Sequence, residues 1–352
     1  GEAGGAARVR LLSGADAVEA ANAAATAAAA GGSGTHARAF YSSLTDAVTR
    51  EGAAMVVPMS DHLCTRGDAV FDTAIIIGGA VYMLEEHLDR LEASASAVGL
   101  CLPGGGRTFI RDALLATAAA SGVRDGALRY WLSSGPGGFG VARPKRGEGV
   151  GVEQQAPGSA FYAVAVEPLA LAVPQGVSCA VVPHIPPKPA PFCSIKSTNY
   201  LPNVMAVEAG HAAGADYGIF LDAGGFVNEA PTANVAFITR ERELVTPRAE
   251  NVLRGLTLKR VIDLLENDGG AAAEAIGIKR CVYADISPAE AEQAVEAMLL
   301  GGGVHVTPVV RWNGNPIGDG EAGPVGRALV ELIHDDMTSG PLRTPVEYSL
   351  YD

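Results

Sequence analysis

Positive charge is scarce in this sequence. Lys and Arg number 26 against 39 Asp and Glu, a formal net charge of −13 over 352 residues. That balance argues against nucleic acid and anionic membranes as partners, since phosphate backbones and lipid headgroups require a basic face. Small anionic substrates stay open, because a local basic pocket can coexist with an acidic surface. Long hydrophobic runs are missing too: nothing approaches the roughly 18 apolar residues that span a bilayer. Ala21 to Ala30 is apolar but tiny-sided and ends in Gly31-Gly32-Ser33-Gly34. The start has no basic region ahead of a bulky apolar core, so no secretory signal is read there. The five cysteines (Cys64, Cys101, Cys179, Cys193, Cys281) are odd in number and far apart. Without a CxxC or a Cys/His metal spacing they imply no metal site, but free, mostly buried thiols in a reducing compartment. The glycine-rich run Ser133 to Gly140 has no Lys-Ser/Thr pair behind it and no strand-loop-helix setting, so neither ATP nor NAD is indicated.

What is present is ample core material. Hydrophobic residues make up 48% and charged residues 18%, a globular balance, and the length favours two domains. We divide the chain into an Ala/Gly-rich lead-in (1–40), a small N-terminal domain (41–167), a linker (168–176) and a C-terminal domain (177–352). In the lead-in, Asp16 to Ala30 predicts a helix capped by Ser13 or Asp16, without an apolar stripe. Strands are expected over Ala53–Pro58, Ala69–Ile77, Gly126–Leu132, Ala160–Val166, Gly218–Asp222, Ala233–Ile238 and Val304–Val310, with Gly78-Gly79 turning a hairpin into Ala80–Met83 and Cys179–Pro183 opening the second domain. Helices are expected over Leu84–Val98, Thr108–Ala120, Leu201–Ala213, Leu256–Asn267, Pro288–Leu300 and Pro324–Met337. The first buries Leu84, Leu88, Leu91 and Ala95 on one face. Leu201–Ala213 is expected to pack through Val204, Val207 and neighbouring alanines.

The most informative stretch is Ser194-Ile195-Lys196-Ser197-Thr198-Asn199-Tyr200. From Val182 to Val207 the other basic residues are His184 and Lys188, and there is no acidic one. A lysine in dry surroundings has its pKa pushed down, and a neutral amine can attack an aldehyde to form a Schiff base. Downstream come Gly225-Phe226-Val227-Asn228-Glu229-Ala230-Pro231-Thr232-Ala233-Asn234, then Asn251-Val252-Leu253-Arg254-Gly255-Leu256-Thr257. The last opens a helix, whose free N–H groups suit a phosphate, with Thr257 read also as its N-cap. Upstream, Glu86-His87-Leu88-Asp89-Arg90-Leu91 offers a guanidinium able to hold two phosphate oxygens, or else to pair with Glu86 on a solvated face.

This order of lysine, glutamate and Gly-aliphatic-Thr turn resembles the class IV (fold type IV) pyridoxal-phosphate aminotransferases, over about Tyr41 to Tyr348. The plant and algal branch of D-amino-acid aminotransferases and aminodeoxychorismate lyases is similar in Arg129-Tyr130-Trp131-Leu132-Ser133, Gly135-Pro136-Gly137, Ile317-Gly318-Asp319-Gly320, Asp335-Asp336-Met337 and Ser339-Gly340-Pro341. The resemblance implies an α/β (α+β) fold with a small N-terminal domain and a larger C-terminal pseudo-barrel domain, pairing as a homodimer around pyridoxal 5'-phosphate. It makes Lys196 the catalytic residue. Arg90, Tyr200, Glu229, Thr232, Asn234, Leu253, Leu256, Thr257 and Gly302 would contact the cofactor, Arg90 and Thr257 at its phosphate and Glu229 at its ring nitrogen. Ser134, Gly135 and Gly137 would lie at the substrate mouth, although bacterial relatives carry an arginine about where Ser134 falls. Gly301-Gly302-Gly303 stands where many relatives have Gly-Thr-Ala, leaving Gly302 its backbone N–H alone. The implied reaction is transamination of a D-amino acid with a 2-oxo acid (pyruvate or 2-oxoglutarate). The alternatives are cleavage of 4-amino-4-deoxychorismate to 4-aminobenzoate and pyruvate, branched-chain transamination, and an inactive cofactor-binding protein. The plant branch implies a plastid address, with the cytoplasm as the other option.

Overall fold

The computed structural model describes residues 13–30, 36–143, 159–167, 175–267, 269–303 and 305–351. Most of the expected linker, 168–174, lies outside these residues. Among the described residues the chain builds two sheets. The first takes β1 (His36–Ser42), β2 (Ala47–Thr49), β3 (Ala69–Ile77), β4 (Ala80–Tyr82), β5 (Gly126–Ser133) and β6 (Ala160–Glu167), all antiparallel, in the order β4-β3-β5-β6-β1-β2. The second is mixed and takes β7 (Val177–Val181), β8 (Tyr217–Ile219), β9 (Asn234–Ile238), β10 (Glu243–Thr246), β11 (Arg280–Tyr283), β12 (Glu296–Gly301), β13 (His305–Trp312) and the short β14 (Asn315–Pro316). A final strand, β15 (Arg343–Pro345), crosses back and pairs with β4, so the C-terminal segment completes the edge of the first sheet.

Helices α1 (Gly14–Ala30), α2 (His62–Arg66), α3 (Leu84–Ala97) and α4 (Gly106–Ser121) belong to the first part of the chain. The second part carries α5 (Leu201–Ala212), α6 (Leu256–Glu266), α7 (Ala271–Ile276), α8 (Pro288–Glu292) and α9 (Pro324–Ser339). None of the described helices is long and apolar enough to cross a membrane. The alternation of β3 explains how the two halves join. Val70, Ala74 and Ile76 enter a core with the expected α3 face of Leu84, Leu88, Leu91 and Ala95. Ile75 and Ile77 point the other way, into a core with α6, α9 and the second sheet, because successive strand residues face opposite sides.

Four expectations yield to tertiary context. Ala53–Pro58 is a 3₁₀ turn over Gly52–Ala54 followed by unpaired extended chain, not a strand. Pro288–Leu300 is not one helix: α8 stops at Glu292, and β12 pairs with β9 and β13 on both sides. All six β12 residues are buried, and a fully buried strand shows no alternation to separate it from a helix. Val204 of α5 is 54% exposed. The expected alanine packing holds at Ala206, which the helix seats with Gly210 against β8, where a Cβ on Gly210 would fall 2.4 Å from the Gly218 nitrogen. Of the thiols, only Cys179 and Cys193 are buried; all five are free.

Candidate active site

Lys196 owes its position to β3. The Phe71 N–H donates to the Lys196 carbonyl (2.9 Å), the Thr198 N–H to the Ala69 carbonyl (3.0 Å) and the Lys196 N–H to Ser94 Oγ (3.2 Å). Ile195 is buried in the first core, and the next side chain along extended backbone points the opposite way. Lys196 therefore projects into a cavity of about 630 Å³ lined from both sheets, a size typical of small-molecule sites. Its Nζ stands 4.5 Å from the centre of the Phe71 ring. Burial first, and then the Arg90 guanidinium, lower its pKa to about 8, against the pull of Asp72 and Glu229. The sequence around Lys196 holds no acidic residue; the fold brings up Arg90, Asp72 and Glu229, because neutrality along the chain says nothing about neighbours in space.

Glu229 lines the same cavity. Its Oε2 accepts from the Leu253 N–H (3.1 Å) and from Asn234 Nδ2 (3.4 Å), while the same Nδ2 donates to the Leu253 carbonyl (2.9 Å). Asn234 thus joins the two loops that carry Glu229 and Leu253. The fit is close at Gly255, where a Cβ would lie 1.8 Å from Asn234 Oδ1. Burial pushes the Glu229 carboxyl up to about 8, opposed by the Leu253 amide, Lys188 and Lys196. A folded pKa above the ordinary 4.5 means that the folded state holds the proton more tightly. The stability this contributes is present below that value and is lost as pH rises towards 8. We therefore expect Glu229→Gln to flatten the decline in stability of the cofactor-free protein between pH 5 and pH 8. The flattening should be on the order of 2 kcal/mol, read from urea midpoints at the two pH values; parallel profiles would show Glu229 already ionised.

The end of the cavity at the start of α6 has two sides. Helix α6 starts at Leu256 with Gly255 as its N-cap, not Thr257, and without a side-chain cap. The N–H groups of Leu256, Thr257 and Leu258 have no intrahelical acceptor, and Gly255, Leu256 and Thr257 line the cavity. Opposite stands Arg90, which pairs with Asp72 rather than Glu86, through Nε (2.8 Å) and Nη2 (2.6 Å). Its Nη1 reaches the Arg254 carbonyl at 3.4 Å, beside the start of α6. Asp72 is fully buried and also meets His87 Nδ1 (3.1 Å) and the Thr73 N–H (2.7 Å). Burial would raise its pKa, but Arg90 and His87 outweigh that and hold the carboxyl well below the usual range.

Tyr200, Thr232, Leu253 and Gly302 also line the cavity. Tyr200 packs edge-on against Phe71 (5.1 Å), and burial, then Glu229, push its hydroxyl up to about 12. Ser134, Gly135 and Gly137 are not brought to the cavity. Beyond β5 the loop is latched to the segment around α2: His62 N–H donates to the Gly135 carbonyl (3.1 Å) and Gly137 N–H to the Ser60 carbonyl (3.0 Å). Sequence reasoning missed Asp72, Lys188, Asn203, Arg129 and Trp131. Asp72 had a signal, as the one charge inside an apolar strand, and so did Lys188, one of the two other basic residues near Lys196. Arg129 and Trp131 face the cavity through strand register, which the sequence leaves open. No cluster of His, Cys, Asp and Glu suited to a metal occurs among the described residues.

The family described as "Amino-transferase class IV" matches residues 69–312. The chloroplastic D-amino-acid transaminase of Arabidopsis thaliana is 41% identical over 304 residues, 86% of this chain and 77% of that protein. The D-alanine aminotransferase of Listeria monocytogenes is 25% identical over 308 residues, covering 83% and 93% of the two chains. Among solved structures, the branched-chain amino acid aminotransferase of Escherichia coli superposes with a TM-score of 0.76 at 20% identity, over 88% of this chain and 100% of that one. The branched-chain aminotransferase of Thermoproteus uzoniensis, solved with norvaline, gives 0.71 at 23%, over 88% and 100%. These likenesses show the two-sheet α/β fold.

Proposed function

Because the chain belongs to the class IV amino-transferase family, we propose that it moves the amino group of a D-amino acid to a 2-oxo acid such as pyruvate or 2-oxoglutarate, with pyridoxal phosphate as its cofactor. One observation carries the reading: a lysine of lowered pKa, a carboxylate and an uncapped helix start line one cavity. The donor set fits the cofactor part by part. Lys196 would hold the aldehyde, Glu229 the ring nitrogen, Tyr200 the phenolic oxygen, and Arg90 with Leu256 and Thr257 the phosphate. Leu253, Thr232, Asn234 and Gly302 would enclose it. When bound, pyridoxal phosphate supplies the carbonyl and the electron-withdrawing ring on which amino transfer depends.

The chain's own residues then do three things. Lys196 Nζ, with a pKa near working pH, takes and returns the proton at the substrate Cα. Glu229, held by Asn234 and the Leu253 amide, presents a carboxylate to a protonated ring nitrogen, which favours its charged form. Arg129, exposed on β5 at the cavity wall with Trp131, offers a cation for the substrate carboxylate.

The D-amino acid preference rests on the Arabidopsis relative, and so does a plastid location. We further propose a homodimer: Met59, Phe139 and Val141 are 74%, 68% and 84% exposed on the two segments latched together by His62 and Arg66. The test supplies D-alanine with 2-oxoglutarate in one reaction and aminodeoxychorismate without an acceptor in another. Acceptor-dependent consumption of D-alanine supports the proposal. Repeated release of pyruvate from aminodeoxychorismate, with D-alanine untouched, would replace it with the lyase.

A further inference from the structure

The two halves of the anion-binding end come from different parts of the fold, and the hydrogen bond that joins them directly is a long one, from Arg90 Nη1 to the Arg254 carbonyl (3.4 Å). Arg90 is fixed to the first sheet by Asp72, while the free N–H groups open α6, which packs on the second core through Leu258, Val261, Ile262 and Leu265. Apolar packing is non-directional, so these four side chains add no hydrogen bond that orients α6 toward Arg90. A directional tie lies one turn further along the helix. Arg260 binds Asp336 of α9 through Nε (2.8 Å) and Nη2 (2.5 Å), and Tyr82 of β4 donates to the same carboxylate (2.5 Å). Arg260 and Asp336 are 11% and 6% exposed. A planar bidentate pair fixes orientation as well as distance.

The surrounding chain is shaped around this carboxylate. Gly340 turns the backbone past it so closely that a Cβ there would lie 2.4 Å from Asp336 Oδ1. The chain then continues into β15, which pairs with β4 at Tyr82 itself. Tyr82 stands two residues before α3, the helix that carries Arg90. The carboxylate therefore ties α6 to the strand from which α3 departs.

We propose that Asp336, acting through Arg260 and Tyr82, is a positioning residue that sets the separation between Arg90 and the N–H groups opening α6, and with it the grip on the cofactor's phosphate. This rests on the reading that the cavity holds pyridoxal phosphate. Asp336 does not line the cavity; it decides whether two remote donors converge on one anion.

The test compares pyridoxal phosphate with pyridoxal, which has the same aldehyde and ring but no phosphate. Equilibrium binding to cofactor-free full-length protein is followed by absorbance, beside thermal midpoints. Asp336→Asn should weaken pyridoxal phosphate binding about tenfold or more and leave pyridoxal binding within about twofold. A general loosening would weaken both by the same factor, and that result, or no change in either, overturns the proposal. If Asp336→Asn does not fold, Tyr82→Phe keeps the Arg260 pair and should still lower the preference for the phosphorylated form by a few-fold; an unchanged preference there also overturns it. Should the unaltered protein show no preference for pyridoxal phosphate over pyridoxal, the cofactor reading itself fails instead.

Discussion

Replacing Lys196 with alanine is expected to lower amino transfer from D-alanine by about 10⁴-fold, the top of the range for one positioned proton-transferring group. The fold should survive it. The side chain projects into a cavity rather than into packed atoms, so its loss creates no new void. Its pKa of about 8 means that at pH 7 the folded protein carries a charged amine where burial disfavours one. Alanine removes that cost, so the cofactor-free form should be no less stable than the unaltered protein, and more stable if the whole shift is relieved. Single-turnover rates at saturating cofactor, beside urea midpoints, separate the two effects. A variant that keeps a tenth of the activity would remove Lys196 from its assigned role.

The second large effect concerns Arg90, which serves two ends that one substitution confounds. Arg90→Met leaves Asp72 fully buried with its main counter-charge gone. Breaking a buried pair from one side costs about 3–5 kcal/mol, so this variant should be strongly destabilised. Adding Asp72→Asn neutralises the orphaned carboxylate, and His87 Nδ1 and the Thr73 N–H can still donate to an amide oxygen at its position. Most of the lost stability should return in the double variant. Affinity for pyridoxal phosphate should not: a lost charged hydrogen bond is worth about 1.5–3 kcal/mol, roughly a 10- to 100-fold weaker complex. Urea midpoints and cofactor titration of the single and double variants test this together. Recovery of affinity along with stability would make Arg90 a structural residue.

The glycine-rich loop is held by contacts that the sequence does not show. Ser134, Gly135 and Gly137 were expected at the substrate mouth, yet their backbone groups are engaged by Asp68, Ser60 and His62. Motif order places a loop in the chain but not its partners, and those come from a segment some seventy residues earlier. Asp336 illustrates the reverse case. It stood out in the sequence as part of a conspicuous run, but a buried carboxylate shows its purpose only once Arg260 and Tyr82 are seen to meet on it.

By itself the sequence determined most elements and the family. The spacing of Leu84, Leu88, Leu91 and Ala95 made a helix face, Ala69–Ile77 read as a strand to the residue, and the order of Lys196, Glu229 and Gly255-Leu256-Thr257 carried the likeness to the class IV family. These signals are local: periodicity, propensity and side-chain type need only neighbours along the chain. Tertiary structure alone decided that Glu296–Gly301 is a strand, that Arg90 answers to Asp72, and that burial brings both the Lys196 amine and the Glu229 carboxyl to about 8. Pairing, burial and electrostatic field depend on groups brought together from distant positions, and those distances exist only once the two sheets have closed around the cavity.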